Sequence, residues 1–148
     1  MSKRSLVLDA NILIRAVLGR RVIHLLADNA ERVAFLAPSI AIADAKKHLS
    51  YLIDIHGLDI DVAMATLDEV LALVIPLPET ELEPWHDEAI SRIGSRDSDD
   101  WPILAAALAI DCPVWTEDRD FFGTGVPTWT TDRVELFFTN TPGSSESR

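Results

Sequence analysis

Four aspartates spread along the chain, Asp9, Asp44, Asp100 and Asp118, have the residue type and the context to share a divalent cation. Asp9 closes the apolar run SLVL at 5–8. Asp118 follows PVWT at 113–116. Asp100 opens the apolar stretch at 101–110, and Asp44 lies in a helical pattern that begins at Pro38 and Ser39. Carboxylates brought within a few ångströms raise each other's pKa and destabilise a fold unless a cation joins them. Mg²⁺ or Mn²⁺ suits such a set, because both are hard ions that prefer oxygen ligands. An ion held this way polarises a phosphodiester oxygen and lowers the pKa of an attacking water. Phosphodiester hydrolysis is the natural reaction for the group.

Each acid also has a plainer reading. An aspartate at a helix start caps it, and a loop or helix-face acid is simply solvated. Asp97, Ser98 and Asp99 offer other caps beside Asp100, a solvated helix face explains Asp44 equally well, and Thr116 suits a strand as a β-branched residue. Residue types and spacing alone leave both readings standing.

The elements that must position these acids follow from periodicity. Residues 5–8 read as a buried strand, and 11–18 as a helix stopped by Gly19. A second helical piece covers 20–29, and VAFLA at 33–37 reads as a strand. Pro38 and Ser39 open a helix reaching about His56, ended by Gly57. Residues 59–73 form a further helix capped by Asp59, with Val62, Leu67, Val70, Leu71 and Val74 on its apolar side. A strand at 74–77 and a helix at 81–93 follow. The stretch WPILAAALAI at 101–110 is apolar all round and must be buried, with Ser98 or Asp99 as cap and Pro102 in the first turn. Strands at 113–116 and 126–130 and a closing helix at 131–138, capped by Thr131 or Asp132, complete the pattern. Strands alternating with helices predict an α/β sandwich with a parallel sheet, and ligands in such folds bind beyond the C-terminal strand ends.

Composition narrows the class. With 148 residues, 48% hydrophobic and 25% charged, the chain fits one domain, 1–139, followed by a polar, Ser-rich tail at 140–148 that reads as disordered. No stretch is long and apolar enough to span a bilayer or reads as a secretory signal. Cys112 is the only cysteine, so no intrachain disulfide forms; it reads as a small buried hydrophobe. These features suit the cytoplasm. The net charge of −11, from 24 acids against 13 Lys and Arg, should repel RNA. A cation bound among the acids inverts the local field, and Arg20, Arg21, Lys46, Lys47 and Arg119 are candidates for a basic track. The histidines show no metal-ligand spacing, and Trp101, Trp115 and Trp129 read as packing residues.

The segments VLDANIL, DSDDWPILAAALA and VWTEDRDF, in this order, resemble the PIN domain family, the fold of VapC-type toxin ribonucleases. The resemblance runs from Ser5 to about Phe138. It implies a three-layer α/β/α sandwich around a central, mostly parallel sheet. It also implies a metal-dependent endoribonuclease, the toxin of a toxin–antitoxin pair, that works as a homodimer and is restrained by a small antitoxin occupying the acidic cleft. Carried over residue by residue, Asp9, Asp44, Asp100 and Asp118 would hold Mg²⁺ or Mn²⁺. Asn11, Thr116 and Asp120 would support them, with Thr116 orienting a carboxylate or water. The family's glutamate in the second long helix is matched by Asp44, one methylene shorter, which implies a reach to the ion through water.

Two other readings fit parts of the pattern. Asp9 could be the nucleophile of a phosphotransferase, although such enzymes usually carry a second aspartate where Asn11 stands. Alternatively the chain is a degenerate PIN fold serving as an RNA- or protein-binding module.

Overall fold

The computed structural model describes residues 3–94 and 98–139. The expected tail at 140–148 and the candidate cap Asp97 lie outside these residues. Five strands alternate with helices: β1 (Arg4–Leu8), β2 (Val33–Pro38), β3 (Val74–Leu77), β4 (Val114–Trp115) and β5 (Thr128–Trp129). They form one sheet in the order β3-β2-β1-β4-β5, and every pairing is parallel.

Strand side chains alternate between two apolar layers, as the pleat requires. Leu6 and Leu8 of β1, Phe35 and Ala37 of β2, and Trp115 of β4 enter one layer. Val7, Leu36 and Val114 enter the other. The first layer packs against α1 (Ala10–Leu18), α2 (Arg21–Asn29) and α8 (Val134–Thr139). The second packs against α5 (Glu79–Leu82), α6 (His86–Ile93) and α7 (Trp101–Ile110). Helices α3 (Ser39–His56) and α4 (Ile60–Leu71) add a further apolar cluster of Leu49, Ile53, Ala63 and Leu67. The result is the expected α/β/α sandwich.

Most boundaries follow local chemistry. Asp59 caps α4, accepting from the Asp61 and Val62 amides at 2.9 and 3.2 Å. Gly57 ends α3 in the left-handed conformation (φ 63°), and the Leu58 amide reaches back to the Ile53 carbonyl at 3.1 Å. Helix α7 is buried at every residue from Pro102 to Ala107, as its uniform apolarity demands.

Four expectations need correction. Residues 81–93 are not one helix, because Pro84 interrupts the chain there; α5, a 3₁₀ turn at Glu83–Trp85 and α6 follow one another. Val62 is 62% exposed rather than apolar-facing, because the buried stripe of α4 runs through Ala63, Leu67 and Val70. Neither Ser98 nor Asp99 immediately precedes α7; both lie in a 3₁₀ turn with Asp100, which holds the cap position. Helix α8 begins at Val134, beyond the proposed caps Thr131 and Asp132, because a turn closed by the Thr130 carbonyl comes first. Among the described residues, no helix is long and apolar enough to cross a membrane.

Candidate metal centre

The site begins where β1 ends. Asp9 leaves the strand and caps α1, accepting the Asn11 amide on Oδ1 at 3.0 Å. Its Oδ2 accepts the Thr116 hydroxyl at 2.6 Å and the Asn11 side-chain amide at 3.3 Å. Only 6% of Asp9 is exposed. Burial pushes its carboxyl above the ordinary range, and the neighbouring charge of Asp118 adds to the rise. The bonds from Thr116 and Asn11 pull the other way. A carboxylate held by three donors in a buried strand end has a fixed position, which is what a metal ligand or its support needs.

Thr116 links two of the acids. It follows β4, which pairs with β1, so its hydroxyl lies beside Asp9. While donating to Asp9, that oxygen also accepts the Asp118 amide at 2.9 Å. Asp118 in turn caps the 3₁₀ turn Arg119–Phe121, accepting the Asp120 amide at 2.9 Å. Asp100 arrives from the start of α7. It makes no side-chain cap bond to that helix, and its Oδ2 is buried. Asp100, Asp118 and Asp120 each offer an oxygen, and these three atoms lie within 4.8 Å of one another.

Asp9 and Asp100 also wall a small cleft of about 50 Å³, together with Asp44 and Asp99 and the apolar Ala41, Pro102 and Ile103. The space suffices for an ion that keeps some of its waters. The donors are carboxylates, the ligand class of Mg²⁺ and Mn²⁺. Oxygens within 4.8 Å of one another are close enough for one hard ion to be held by them directly or through the waters such an ion keeps. The residues fit a hard divalent ion.

Asp9, Asp100 and Asp118, distant in sequence, thus meet at one edge of the sheet. Asp44 is exposed on α3 but opens onto the same cleft as Asp9 and Asp100. Asn11 and Thr116 both bond Asp9. Asp120, read from the sequence as a supporting acid, sits with Asp100 and Asp118. Geometry speaks against Asp9 as a nucleophile, since both its oxygens are engaged and the residue is buried. Lys46 and Lys47 are exposed on α3. Arg20 lines a groove with residues of α2 and α4, whereas Arg21 and Arg119 line a different one together with Arg15. Sequence reading missed Arg15. Its signal was helical spacing, for it stands one turn after Asn11 on α1. Cys112 is buried and its thiol is pushed up to about 12, mainly by desolvation, in keeping with a small buried hydrophobe. Trp115 is fully buried, and its ring N–H donates to the Thr131 hydroxyl at 3.1 Å.

No curated protein matches the chain. Solved structures do. VapBC2 from Rickettsia felis, bound to a DNA fragment from its promoter, is 16% identical with a TM-score of 0.66, over 85% of this chain and 98% of that one. FitAcB from Neisseria gonorrhoeae is 19% identical with a TM-score of 0.54, over 85% and 97%. A toxin–antitoxin complex from Klebsiella pneumoniae is 17% identical with a TM-score of 0.53, over 84% and 96%. At these identities the likeness concerns the fold. The sequence profile of the PIN domain matches residues 7–139. That match covers the strand end at Asp9, the acids before and after α7 and the closing helix, and the chain belongs to the PIN domain family.

Proposed function

We propose that the chain is a divalent-metal-dependent endoribonuclease, the toxin of a toxin–antitoxin pair, with its activity in residues 1–139. The single observation that carries this reading is the convergence of Asp100, Asp118 and Asp120 within 4.8 Å beside the buried Asp9. Such a cluster is unfavourable without a cation, and the fold keeps it at the sheet edge where ligands bind. PIN domains are generally nucleases, and the similar structure from Klebsiella pneumoniae is named as a toxin–antitoxin complex, which supports an antitoxin partner here. Cytoplasmic location and a homodimeric assembly belong to the same reading.

Asp9, Asp44, Asp100 and Asp118 are the proposed holders of Mg²⁺ or Mn²⁺, with Asp120 as a further ligand. Asn11 and Thr116 hold Asp9 in place. When bound, the ion supplies Lewis acidity toward a phosphate oxygen and a more acidic water. The chain's own residues do the positioning. Thr116 fixes Asp9 through its proton and Asp118 through its lone pair, so one hydroxyl sets the spacing of two carboxylates. The Asp118 cap turns Asp120 back toward Asp100. Buried Asp9 accepts three hydrogen bonds, so it cannot swing away as charge changes nearby. The reaction forms a bond from water oxygen to phosphorus as a phosphoester P–O bond breaks.

The test is cleavage of a mixed RNA pool with Mg²⁺ or Mn²⁺ by wild type and Asp9→Asn. Cleavage is expected for wild type alone, and only with metal. Equal cleavage by both proteins refutes the mechanism. An intact pool with both, with no thermal shift on adding metal, leaves a PIN fold used for binding.

A further inference from the structure

A wide concavity on the turn that carries Asp118 holds three arginines against two acids. It holds about 610 Å³ and is lined by Arg15 from α1, Arg21 from α2 and Arg119 from the turn after β4, with Phe122, Thr130 and Thr131. Glu117 and Arg119 of the groove flank Asp118, so one turn after β4 serves both the groove and the acid cluster. Two acids share the wall and are held by uncharged donors: Glu117 accepts the Thr131 amide at 2.7 Å, and Asp132 accepts the Thr130 hydroxyl, which leaves the three arginines one charge in excess. Arg21 pairs with Glu135 at 2.8 Å, but both side chains are more than half exposed, and a pair of that kind is weak and easily exchanged. Among the described residues, neither Arg15 nor Arg119 has an ion-pair partner. Three guanidinium groups converge here in a chain with a net charge of −11.

We infer that the Arg15–Arg21–Arg119 groove is a subsite for single-stranded RNA, binding phosphates next to the one cut at the acid cluster, with Phe122 as a stacking surface for a base. The inference rests on the nuclease reading and names where its substrate runs. Guanidinium forks match phosphate oxygens in pairs. Phe122 is 44% exposed on the groove wall, as a stacking platform must be. The groove also answers the charge problem: a strongly acidic protein holds a polyanion by concentrating its cations at the one place where the strand must lie.

The test is binding of a short fluorescein-labelled single-stranded RNA, read by anisotropy in Ca²⁺ across a salt series, with the RNA checked intact on a gel. The variant Arg15→Gln/Arg119→Gln removes two charges from the groove. The control Lys3→Gln/Arg32→Gln removes two charges at the opposite, N-terminal edge of the sheet, next to the Arg4–Val33 pairing. For single strands, each lost phosphate contact lowers the slope of log K against log salt by about 0.7. The groove variant should therefore lose about 1.4 from its slope. Between about 50 and 200 mM salt, wild type then loses roughly sevenfold more affinity than the variant. The control should keep the wild-type slope. Phe122→Ala should weaken binding about five- to tenfold with an unchanged slope.

No RNA binding by wild type, or an equal loss in the control, overturns the subsite. So does displacement of the RNA by an oligoglutamate peptide of equal charge as readily as by unlabelled RNA, which would make the groove a protein-docking site. The nuclease reading fails separately. If Asp9→Asn cleaves like wild type while the groove variant loses its salt slope, the subsite stands and the mechanism falls. If cleavage needs Asp9 but the groove variant binds like wild type, the subsite alone falls.

Discussion

Replacing Asp9 by Asn separates the two energies that meet at this carboxylate. Without metal, the wild-type protein buries a charge that is 6% exposed and lies close enough to Asp118 to feel its repulsion. Asn keeps the shape and removes the charge. On the Oδ2 side its NH₂ group faces the Thr116 hydroxyl and the Asn11 side-chain amide together, both of which now donate there; on the Oδ1 side it faces the Asn11 backbone N–H, which cannot turn. The Asn11 amide can turn over, because its own oxygen is buried and accepts no bond. The Thr116 hydroxyl has less freedom, since its oxygen already accepts the Asp118 amide, and a stranded donor costs about 1–3 kcal/mol. Relief of the buried charge offsets that cost. The metal-free variant is therefore expected to melt no lower than wild type at neutral pH. With metal the order reverses. At a Mn²⁺ concentration about 100 times its Kd, binding stabilises wild type by about 2.7 kcal/mol, or roughly 5–10 °C for a domain of this size. A 100-fold loss of affinity leaves the variant about 0.4 kcal/mol, near 1 °C. Differential scanning fluorimetry with and without Mn²⁺ reads both numbers. Equal Mn²⁺ shifts in the two proteins would refute the role of Asp9, and a metal-free variant that melts far below wild type would refute the charge argument.

Three other outcomes follow from the same geometry. Because burial raises the Asp9 carboxyl, the folded protein holds that proton more tightly than the unfolded chain. Wild-type stability without metal should then gain on Asp9→Asn as pH falls from neutral through the raised pKa, and the gain should end below the ordinary value of 3.8; urea melts at several pH values check it. Thr116→Val keeps the volume but removes the hydroxyl between Asp9 and Asp118; a stability loss of about 1–3 kcal/mol and a drop in Mn²⁺ affinity of roughly 10- to 100-fold are expected by denaturation and calorimetry. Asp120→Asn and Asp44→Asn should each weaken Mn²⁺ binding by about tenfold or more, the Asp44 change by the smaller factor because that acid stands on an exposed helix face and reaches the ion through water; an unchanged affinity in Asp44→Asn would remove Asp44 from the set that holds the ion.

The parts of this fold that were legible in the sequence are those fixed by local chemistry. SLVL followed by Asp marks a buried strand with an acid at its end, and β1 and Asp9 take those roles. Asp59 and Gly57 bracket α4 and α3 because a cap and a left-handed stop depend on the residues beside them. Helix α7 has no polar face, so it has only one place to go. The errors arise where tertiary contact or chain direction decides. Val62 and Ala63 differ by one position on a helix, and packing against Leu49 and Ile53 selects Ala63. Pro84 divides the 79–93 stretch because the break suits both α5 and α6 against α7. Asp120 looked peripheral because no pattern states which way a capped turn will fold. That turn is set by Thr116, whose importance depends on β4 pairing with β1, a contact 107 residues apart in sequence.

The same long-range link explains why an acid cluster of this kind persists without breaking the fold. Repulsion among Asp9, Asp100, Asp118 and Asp120 opposes folding, and α7 with its buried apolar surface supplies the opposing energy at the place where Asp100 enters. Thr116 and Asn11 spread the Asp9 charge over three donors, while the turn at Asp118 spends the chain's local hydrogen bonds on holding two more acids close. The helix that forces the charge together is thus itself apolar along its whole length. A cavity made in α7 should weaken metal binding along with stability, since both depend on where Trp101 and Pro102 hold Asp100. An acid cluster on a loop would give up its ion without moving the core.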